Sequence, residues 1–398
     1  MKGWTQKRIG DLFDVKAGGD LQEANYSPCP TAEAQWPIYA NSLENKGLYG
    51  YTSKPRFSGN AVTITGRGDI GHAEFRPDDF DAIVRLLVLL PKAEVDCRYI
   101  TYYINSHVHF PKESTGVPQL TAPKVKRIKI DLPQSKEEQT AIANILSKVD
   151  EAIASVQNSI AAAERLKKSL MLNLLTGIMK PDGKLRTPKE FYIDEKFGKV
   201  PVGWKVKKIK DLFYMNENTL PNKTDADYRF SYITIESVKT EHIDFENCPE
   251  FSFKDSPGRA RRIIHDDDIL ISGVRPNLKA FAIYRKPNAS NWICSTGFHV
   301  LTAKGNVCPQ FFFYQILSSI GAQQFHSWVA GSNYPAIGDS DMRKMKLFVP
   351  PYEEQIMIKH QLEDIIKMQV EKQEKIKSLE RLKKSLMQNL LTGKVSLL

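Results

Sequence analysis

A fourteen-residue segment occurs twice in this sequence, and the repeat constrains the fold more than any other feature. Residues 164–177 read ERLKKSLMLNLLTG and residues 380–393 read ERLKKSLMQNLLTG, so thirteen of the fourteen positions are identical. A second repeat, GW-x-x-K-x-I-x-D-L-F, begins at Gly3 and again at Gly203. Two copies of one unit in a single chain predict a molecule with pseudo-two-fold symmetry. Such a molecule suits a target that itself has two halves.

The length and composition are typical of a folded protein with more than one domain. With 398 residues, 41% apolar and 26% charged, the chain suits two domains and differs from disordered sequences. The start has no apolar segment of the signal-peptide type, and the longest apolar run, residues 86–90, falls far short of the ~20 residues that span a bilayer. The scattered cysteines, none spaced as CxxC, favour reduced thiols in the cytoplasm over disulfides or zinc: Cys29, Cys97, Cys248, Cys294 and Cys308.

The chain is basic, with a formal net charge of +10 and an isoelectric point near 9.1. A positive surface permits a polyanionic partner such as nucleic acid. Many basic proteins bind no nucleic acid, so the charge allows DNA binding without establishing it.

Each copy of the unit has a globular part and a helical part. The globular parts contain short β-like runs, such as residues 83–90, broken by Asn, Gly, Asp and Pro, together with helical stretches at residues 98–108 and 309–325. Each ends in a short strand and a proline, Pro133 or Pro350. We therefore expect an α+β chain with mixed α/β domains, divided as follows: residues 1–133 first globular domain, 134–184 first helix, 185–350 second globular domain, and 351–398 second helix.

A long amphipathic helix follows each globular domain. Acidic first turns at Glu137–Glu138 and Glu353–Glu354 suit helix N-termini, and Gly177 and Gly393 suit helix stops. In the first copy apolar residues alternate at steps of four and three, which predicts a coiled-coil seam: Ile142, Leu146, Val149, Ile153, Val156, Ile160 and Ala163.

The second helix keeps most of this seam but has a polar break. Gln369 and Lys372 stand where the first copy has Ile153 and Val156. Each helix of about 40 residues would be ~60 Å long at 1.5 Å per residue. Two equal helices in a pseudo-symmetric chain can pair antiparallel, so we expect an antiparallel coiled coil that acts as a spacer.

These repeats make the chain resemble the specificity subunit of a type I restriction–modification enzyme. The resemblance rests on the repeated GW motif, the long helices that begin at Glu-Glu-Gln, and the two ERLKKSLM-x-NLLTG segments, and it extends over the whole chain. Residues 38–52 also resemble one class of first recognition domain. Residues 268–275 and 295–298 resemble core strands of such domains.

The resemblance implies a DNA reader without catalysis of its own. Each globular part would be a target-recognition domain that binds one half of a bipartite site in double-stranded DNA, and the paired helices would set the gap. Methylation subunits would dock on the chain and supply S-adenosylmethionine and adenine chemistry. A restriction subunit would add translocation and cleavage. Because the two globular domains share little sequence, the two half-sites should differ.

Motifs typical of enzymes are weak in this sequence. The stretch from Gly66 to Gly71 matches G-x-G-x-x-G, but no helical stretch follows it before Pro77, so a turn is favoured over a cofactor site. Val349-Pro350-Pro351-Tyr352 lacks the amide of an adenine-methyltransferase motif. There is no P-loop and no H-E-x-x-H, so we expect no cofactor and no metal site. Two alternatives stay open: a stand-alone DNA-modifying enzyme, and a coiled-coil scaffold without DNA binding.

Contacts with DNA would come from donors on loops. Lys and Arg bind phosphates, Arg reads guanine, and Asn or Gln reads adenine. The candidates in the first domain are Asn41, Lys54, Arg56, Arg67, His72, Arg76 and Gln119. The candidates in the second domain are Lys254, Arg259, Arg261, Arg262, Arg275, Asn277, Lys279, Asn333 and Tyr334. The close arginines at 259–262 are the stronger group, because packed like charges favour an anionic partner.

The paired lysines of the repeat form a separate prediction. Lys167-Lys168 and Lys383-Lys384 occupy identical positions in the two copies. Because the two half-sites should differ, identical lysines are better suited to a common partner or to the helix surface than to reading bases.

Overall fold

The computed structural model describes residues 3–110, 119–329 and 336–397. The chain forms two compact units, one of Met1–Ser159 with Lys372–Leu398 and the other of Ile160–Glu371. Each unit therefore combines one globular domain with one end of each long helix. The domain boundaries given above stay predictions, because these units are divided within the helices.

The first unit is built on two four-stranded sheets and a two-stranded ribbon. The sheets have the orders β2-β9-β6-β7 and β3-β5-β4-β8, and the ribbon pairs β1 with β10. Only the β4–β8 pair among these pairings is parallel. The strands are β1 Trp4–Arg8, β2 Phe13–Ala17, β3 Tyr26–Ser27, β4 Trp36–Tyr39, β5 Leu48–Thr52, β6 Ala61–Ile64, β7 Ala73–Arg76, β8 Asp81–Ala82, β9 Leu87–Pro91 and β10 Lys129–Pro133. The helices are α1 Ile9–Leu12, α2 Cys97–His107, α3 Ala122–Lys126 and α4 Lys136–Leu175.

The second unit repeats this plan. Its sheets have the orders β14-β23-β20-β21 and β18-β15-β22-β19, with β13 paired to β24. The strands are β11 Phe191–Asp194, β12 Gly198–Pro201, β13 Lys205–Lys208, β14 Phe213–Met215, β15 Arg229–Ile233, β16 Val238–Lys239, β17 His242–Ile243, β18 Glu250–Ser252, β19 Ala260–Ile263, β20 Ile269–Ser272, β21 Phe281–Ile283, β22 Trp292–Ser295, β23 Phe298–Ala303 and β24 Lys346–Val349. The helices are α5 Ile209–Leu212, α6 Pro309–Leu317, α7 Ser319–Val329, α8 Asp339–Lys344 and α9 Tyr352–Leu390.

The two domains correspond strand by strand in their first sheets. Strands β2, β9, β6 and β7 occupy the positions of β14, β23, β20 and β21, and every pairing in both sheets is antiparallel. The second sheets each contain one parallel pair, β4–β8 at the edge of the first and β15–β22 at the centre of the second. The α+β fold class is therefore confirmed, with two copies of one mixed domain.

The central strands are buried because apolar residues line both of their faces. In β6 and β20 all four residues are buried, and helices α2 and α6 contribute to the same cores. Burial of such side chains contributes about 1.5–3 kcal/mol each. These cores fix the position from which the loops after β6 and β20 begin.

Two local expectations differ from the structure. The stretch at 309–325 is two helices, because Ser318 adopts an extended backbone and its hydroxyl accepts a hydrogen bond from Ile320 N at 3.2 Å, at the start of α7. The run at 83–90 is not one strand. Its first residues form a tight turn, closed by Leu86 N donating to Ile83 O at 3.1 Å, and β9 begins only at Leu87.

A buried glutamine joins each long helix to its globular domain. Gln139 Nε2 donates to Pro133 O at 2.9 Å, and its Oε1 accepts from Asp96 N, the N-cap of α2, at 3.0 Å. Gln355 makes the same two contacts with Pro350 O and Cys308 N at 2.9 and 3.0 Å. Only 1% of Gln139 and 2% of Gln355 is exposed. The repeated Glu-Glu-Gln therefore both begins the helix and fixes it to the preceding strand.

The helix ends pack into the domain cores in the same repeated manner. In the first unit Leu390 and Leu391 share a core with Ile142 and Leu146, so the end of α9 lies against the start of α4. In the second unit Leu174 and Leu175 share a core with Ile358 and Leu362. Within each unit the two helices are thus antiparallel, as expected. Of the predicted seam, the residues from Val149 to Ile160 are only half-buried.

Among the described residues, no helix combines the length and the apolar character needed to cross a bilayer.

Substituting Gln139 by Ala should destabilise the first unit by about 2–4 kcal/mol, because it leaves a buried N–H and a buried carbonyl unpaired. Gln355→Ala should do the same to the second unit. Hydrogen exchange resolved by segment, with chemical denaturation, would measure both effects. The exposed Gln134, replaced by Ala, is the control. A uniform response of both units to either substitution would contradict this role.

Candidate nucleic-acid interface

Both domains present the same loop arrangement at the end of their central strand. Gly66 O accepts a hydrogen bond from Leu120 N at 2.9 Å, and Gly273 O accepts one from Ile337 N at 2.7 Å. Next to these bonds, isolated β-bridges pair Arg67 with Gln119 and Val274 with Ala336. We call this arrangement the loop platform: residues 66–67 with 119–120 in the first domain, and residues 273–274 with 336–337 in the second. The platform holds a long-range loop beside the end of β6 or β20.

In the first domain Asn41 ties a third loop to the platform. Its Oδ1 accepts a hydrogen bond from Gly66 N at 2.7 Å, and its Nδ2 donates to Val84 O. Both ends of the Asn41 amide are therefore engaged with backbone groups. Asn41 positions the loops within the candidate site rather than offering a free donor.

Several predicted donors of the first domain lie at the surface without a partner among the described residues. Arg67 and Lys54 are exposed, and their side chains make no hydrogen bond or ion pair with a described residue. Gln119 is half-buried and lies beside Arg67 through the backbone bridge. The structure adds Arg85, which is exposed at the turn next to Asn41. The sequence-based prediction missed Arg85 because it lies within an apolar run that suggests a continuous strand. The charged side chain inside that run was the one sign that the strand is interrupted there.

Two other candidates of the first domain have structural partners. Arg56 Nε contacts the buried carboxylate of Asp81 at 2.5 Å and its Nη2 donates to two backbone carbonyls. Arg76 is 4% exposed and lies over the Tyr39 ring, with its Cζ 3.5 Å from the ring centroid. Its Nε also donates to Thr63 Oγ1 at 2.9 Å.

Burial shapes the electrostatics around Arg76. It lowers the pKa of Arg76 below the usual value, although Tyr39 and Glu74 act in the opposite direction. Burial also acts to raise the pKa of Glu74, but the hydrogen bond from His72 and the nearby cations outweigh it and lower that pKa. His72 Nε2 lies 3.0 Å from Glu74 Oε1. Arg76, Glu74 and His72 therefore form an internal polar group at this edge.

In the second domain a cavity brings predicted arginines together. Arg259 and Arg275 line a cavity of about 740 Å³ with Lys239, and all three side chains are exposed without a described hydrogen-bond partner. Exposed Val274 and Leu278 add an apolar part. Lys239 was missed, because its β-like surroundings gave no loop signal. The Glu236 carboxylate lines the cavity as well, but three cations outnumber it, and the remaining positive charge beside an apolar patch suits a polyanion that also presents apolar edges.

The turn that carries Arg275 is held firmly. Arg275 and Lys279 both have left-handed backbones, with φ of 48° and 49°, on either side of a short 3₁₀ turn. Lys279 Nζ donates to Leu317 O at 3.1 Å. Asn277, between them, is exposed and makes no described side-chain hydrogen bond. This turn therefore presents Arg275 and Asn277 and uses Lys279 as an anchor.

The close arginines divide by partner. Arg261 Nη1 donates to Ala260 O at 2.9 Å, and its Cζ lies 4.4 Å from the Phe253 ring centroid. Arg262 Nη1 donates to Thr219 Oγ1 at 3.0 Å. Internal acceptors thus partner Arg261 and Arg262, whereas the Arg259 side chain makes no hydrogen bond or ion pair with a described residue. Lys254, on the preceding segment, contacts Asp227 at 2.9 Å.

The remaining candidates, Asn333 and Tyr334, lie outside the described residues. The segment after them is anchored by His299, which is buried. Its Nε2 donates to Ile337 O at 3.0 Å, and its Nδ1 lies 3.0 Å from Asp339 Oδ1. Burial lowers the pKa of His299, although Asp339 opposes the shift.

The described residues support neither a cofactor site at the glycine motif of residues 66–71 nor a metal site. The loop from Gly66 to Gly71 is a turn between β6 and β7, and a Cβ at Gly71 would lie 2.1 Å from the Phe110 ring. This glycine is therefore required for packing. Among residues 3–110, 119–329 and 336–397, no group of three or more His, Cys, Asp or Glu side chains is arranged to hold a metal ion.

Comparison with known proteins gives one family. The model of the "Type I restriction modification DNA specificity domain" matches residues 1–165 and 201–381. The MjaIX specificity subunit of Methanocaldococcus jannaschii is 24% identical over 426 aligned positions that cover 99% of this chain and 94% of that protein. The MjaVIII specificity subunit of the same organism is 24% identical over 316 residues, 76% of this chain and 71% of that protein.

Two solved structures share the fold. The crystal structure of a type I restriction–modification S subunit from M. genitalium has a TM-score of 0.60 at 17% identity and covers 97% of this chain and 96% of its own. A chain from a study of complex assembly and conformational transition in a type I system has a TM-score of 0.52 at 14% identity, with 98% of both chains covered.

Substitution should separate the structural arginines from the free ones. Arg76→Ala should lower the free energy of unfolding by about 2–4 kcal/mol, since it removes a buried cation–π contact and leaves hydrogen-bond acceptors unpaired. Arg67→Ala, the matched control, should change it by less than about 0.5 kcal/mol. Urea denaturation of the two variants measures the difference. Equal stabilities would show that Arg76 is not a structural residue.

Proposed function

Because this chain belongs to the type I restriction–modification DNA specificity family, as a specificity subunit and not a catalyst, we propose that it reads a bipartite asymmetric DNA site. Each globular domain binds one half of the site, at its loop platform. The free cations beside the platforms neutralise phosphates and contact base edges.

The observation that carries this proposal is that both domains have one platform but different side chains on it. Arg67 and Arg85 lie beside the first platform, whereas Arg259 and Arg275 lie beside the second. Equal scaffolds would place both sets of donors in the same relation to a DNA helix. The bridged residues differ in type, Arg67 with Gln119 in the first platform and Val274 with Ala336 in the second, so the two half-sites would have different sequences.

The long helices are proposed to set the gap between the half-sites. Helices α4 and α9 have 40 and 39 residues, and each contributes to both units. Because helices are stiff, their length would fix the unspecified spacing.

The same helices are proposed to dock methylation subunits, through which a restriction subunit would join. Lys167 contacts Glu241 and Lys383 contacts Asp150, at 3.0 and 2.6 Å, so one lysine of each repeated pair has an internal partner. Lys168 and Lys384 are exposed at matching positions and make no described side-chain contact. Two equal surfaces suit two copies of one partner. That partner would bring S-adenosylmethionine and the adenine chemistry.

Deleting the gene from its host should abolish methylation of adenines in one split motif, which consists of two short half-sites at a fixed gap. Sequencing that detects methylated adenine in every genomic context provides the measurement. Restoring the gene should restore the motif. An unchanged pattern, in a strain where the partner genes are expressed, would refute the proposal.

Removing the two free arginines of the second domain should weaken DNA binding. For Arg259→Ala with Arg275→Ala, the slope of log affinity against log salt should become shallower by up to about two. Titration of the full complex at several salt concentrations measures this slope. The control, Lys196→Ala with Lys286→Ala, removes the same charge from exposed sites that do not line the cavity. If both double variants lose affinity equally, the cavity is not the contact surface.

A further inference from the structure

The turn at Val84–Arg85 has a backbone that its side chains disfavour. Val84 and Arg85 have φ of 53° and 57°, and Leu86 N donates to Ile83 O at 3.1 Å to close the turn. Two consecutive left-handed residues form the type of turn in which Gly, Asn or Asp is strongly preferred. A β-branched residue in this region is a true outlier. The fold alone would be better served by Asn-Gly.

Neighbouring strands hold this turn in place. Val84 N donates to Gly19 O at 3.0 Å, Ile83 N donates to Tyr39 O at 2.9 Å, and Gly18 N donates to Leu86 O at 2.7 Å. Asn41 Nδ2 donates to Val84 O as well. With so many backbone groups engaged, the surrounding structure maintains the unfavourable conformation. Strain maintained in this way is characteristic of functional positions.

Only the two central side chains of the turn project to the surface. Ile83 and Leu86 are buried at 2% and 1%, whereas Val84 is 49% exposed and Arg85 is exposed. Arg85 makes no hydrogen bond or ion pair with a described residue. The turn thus presents one guanidinium and one branched apolar side chain from a rigid base. Rigid presentation reduces the entropy lost on binding.

Asn41 joins this turn to the first loop platform. Asn41 bonds both Val84 O and Gly66 N, and a Cβ built on Gly66 would lie 3.4 Å from Arg85 O. Arg85 therefore lies on the loop next to the one that carries Arg67. Loops joined by a shared amide keep a fixed separation, as a reading surface requires.

The corresponding turn of the second domain carries different chemistry. Thr296–Gly297 connects β22 to β23, as Val84–Arg85 connects β8 to β9. Thr296 N donates to Arg259 O at 2.8 Å, so here a neighbouring segment supplies the arginine. The same place in both domains therefore has an arginine, but from different parts of the chain.

We propose that the Val84–Arg85 turn is the base-reading element of the first recognition domain. The Arg85 guanidinium donates two hydrogen bonds to N7 and O6 of one guanine in the major groove, and the Val84 methyl groups contact the adjacent base edge. Arg85 is thus a specificity-determining residue. This inference rests on the proposed function, that the domain reads DNA.

The test compares Arg85→Ala and Arg85→Lys with the native chain, each expressed from the native locus with its partner subunits. Methylated adenines are mapped in the genome. With Arg85→Ala, preference for guanine at one position of one half-site should fall about tenfold or more, while the other half-site and the gap are unchanged. Arg85→Lys should not restore the preference, because lysine keeps the charge but lacks the fork.

Arg127→Ala serves as the matched control, since Arg127 is another exposed arginine of the first unit without a described side-chain partner. It should leave the motif unaltered. If Arg85→Lys fully retains the preference, Arg85 contacts a phosphate and does not read guanine. If Arg127→Ala changes the motif as much as Arg85→Ala does, Arg85 contributes only its positive charge. An unchanged motif in Arg85→Ala would also overturn the proposal. If the native chain itself supports no split motif, the proposed function fails first, and this inference fails with it.

Val84→Asn provides a second, independent measurement. Asparagine tolerates the left-handed backbone, so the midpoint of chemical denaturation should rise while discrimination at the half-site does not improve. A fall in the midpoint would show that Val84 is selected for folding, which would remove the strain argument for a reading role.

Discussion

The joint made by one buried glutamine in each unit is the interaction on which the rest of the structure depends. Gln139 and Gln355 each bond the carbonyl of a proline, the last residue of β10 or the residue after β24, and the N–H at the N-cap of a packed helix. Both partners are buried backbone groups, whose desolvation makes an unpaired state unfavourable. The joint therefore fixes the direction in which a long helix leaves its domain. A rigid helix extends any error in that direction over its whole length.

The polar side chains of the candidate site divide into two groups by what they contact. Asn41, Arg76 and Lys279 bond backbone groups and hold loops, whereas four exposed arginines make no side-chain hydrogen bond or ion pair with any described residue: Arg67, Arg85, Arg259 and Arg275. Side chains of the first group stabilise the fold through burial and hydrogen bonding whether or not a ligand is present. Side chains of the second group add little to the free energy of unfolding, since an exposed charge without a partner contributes almost nothing to stability. Under the proposed function, such an arginine on a bonded turn would contact DNA.

The sequence was sufficient to predict the repeated architecture but only part of the site. Glu-Glu-Gln and the Thr-Gly stops mark the helices because capping and termination are local. Exposed Arg67, Arg259 and Arg275 could be found because they flank strands next to turn residues. The platforms could not, since their hydrogen bonds join residues more than fifty positions apart, as between Gly66 and Leu120. Burial of Arg76 over Tyr39 and the turn at Arg85 depend on the same long-range pairing of strands.

The separation of holding and reading groups has a consequence for specificity. The loop platforms are closed by backbone N–H and carbonyl groups, at Gly66 and Leu120 or at Gly273 and Ile337, and these bonds do not involve the side chains of the neighbouring positions 67, 119, 274 and 336. The side chains that project from them can therefore change without opening the platform. Arg85 shows the limit of this freedom, because its turn disfavours most residues other than Gly, Asn and Asp. A β-branched valine and an arginine in that turn are compatible with the fold because adjoining segments bond the turn from several sides, and this places Arg85 on a backbone whose position is fixed by hydrogen bonds.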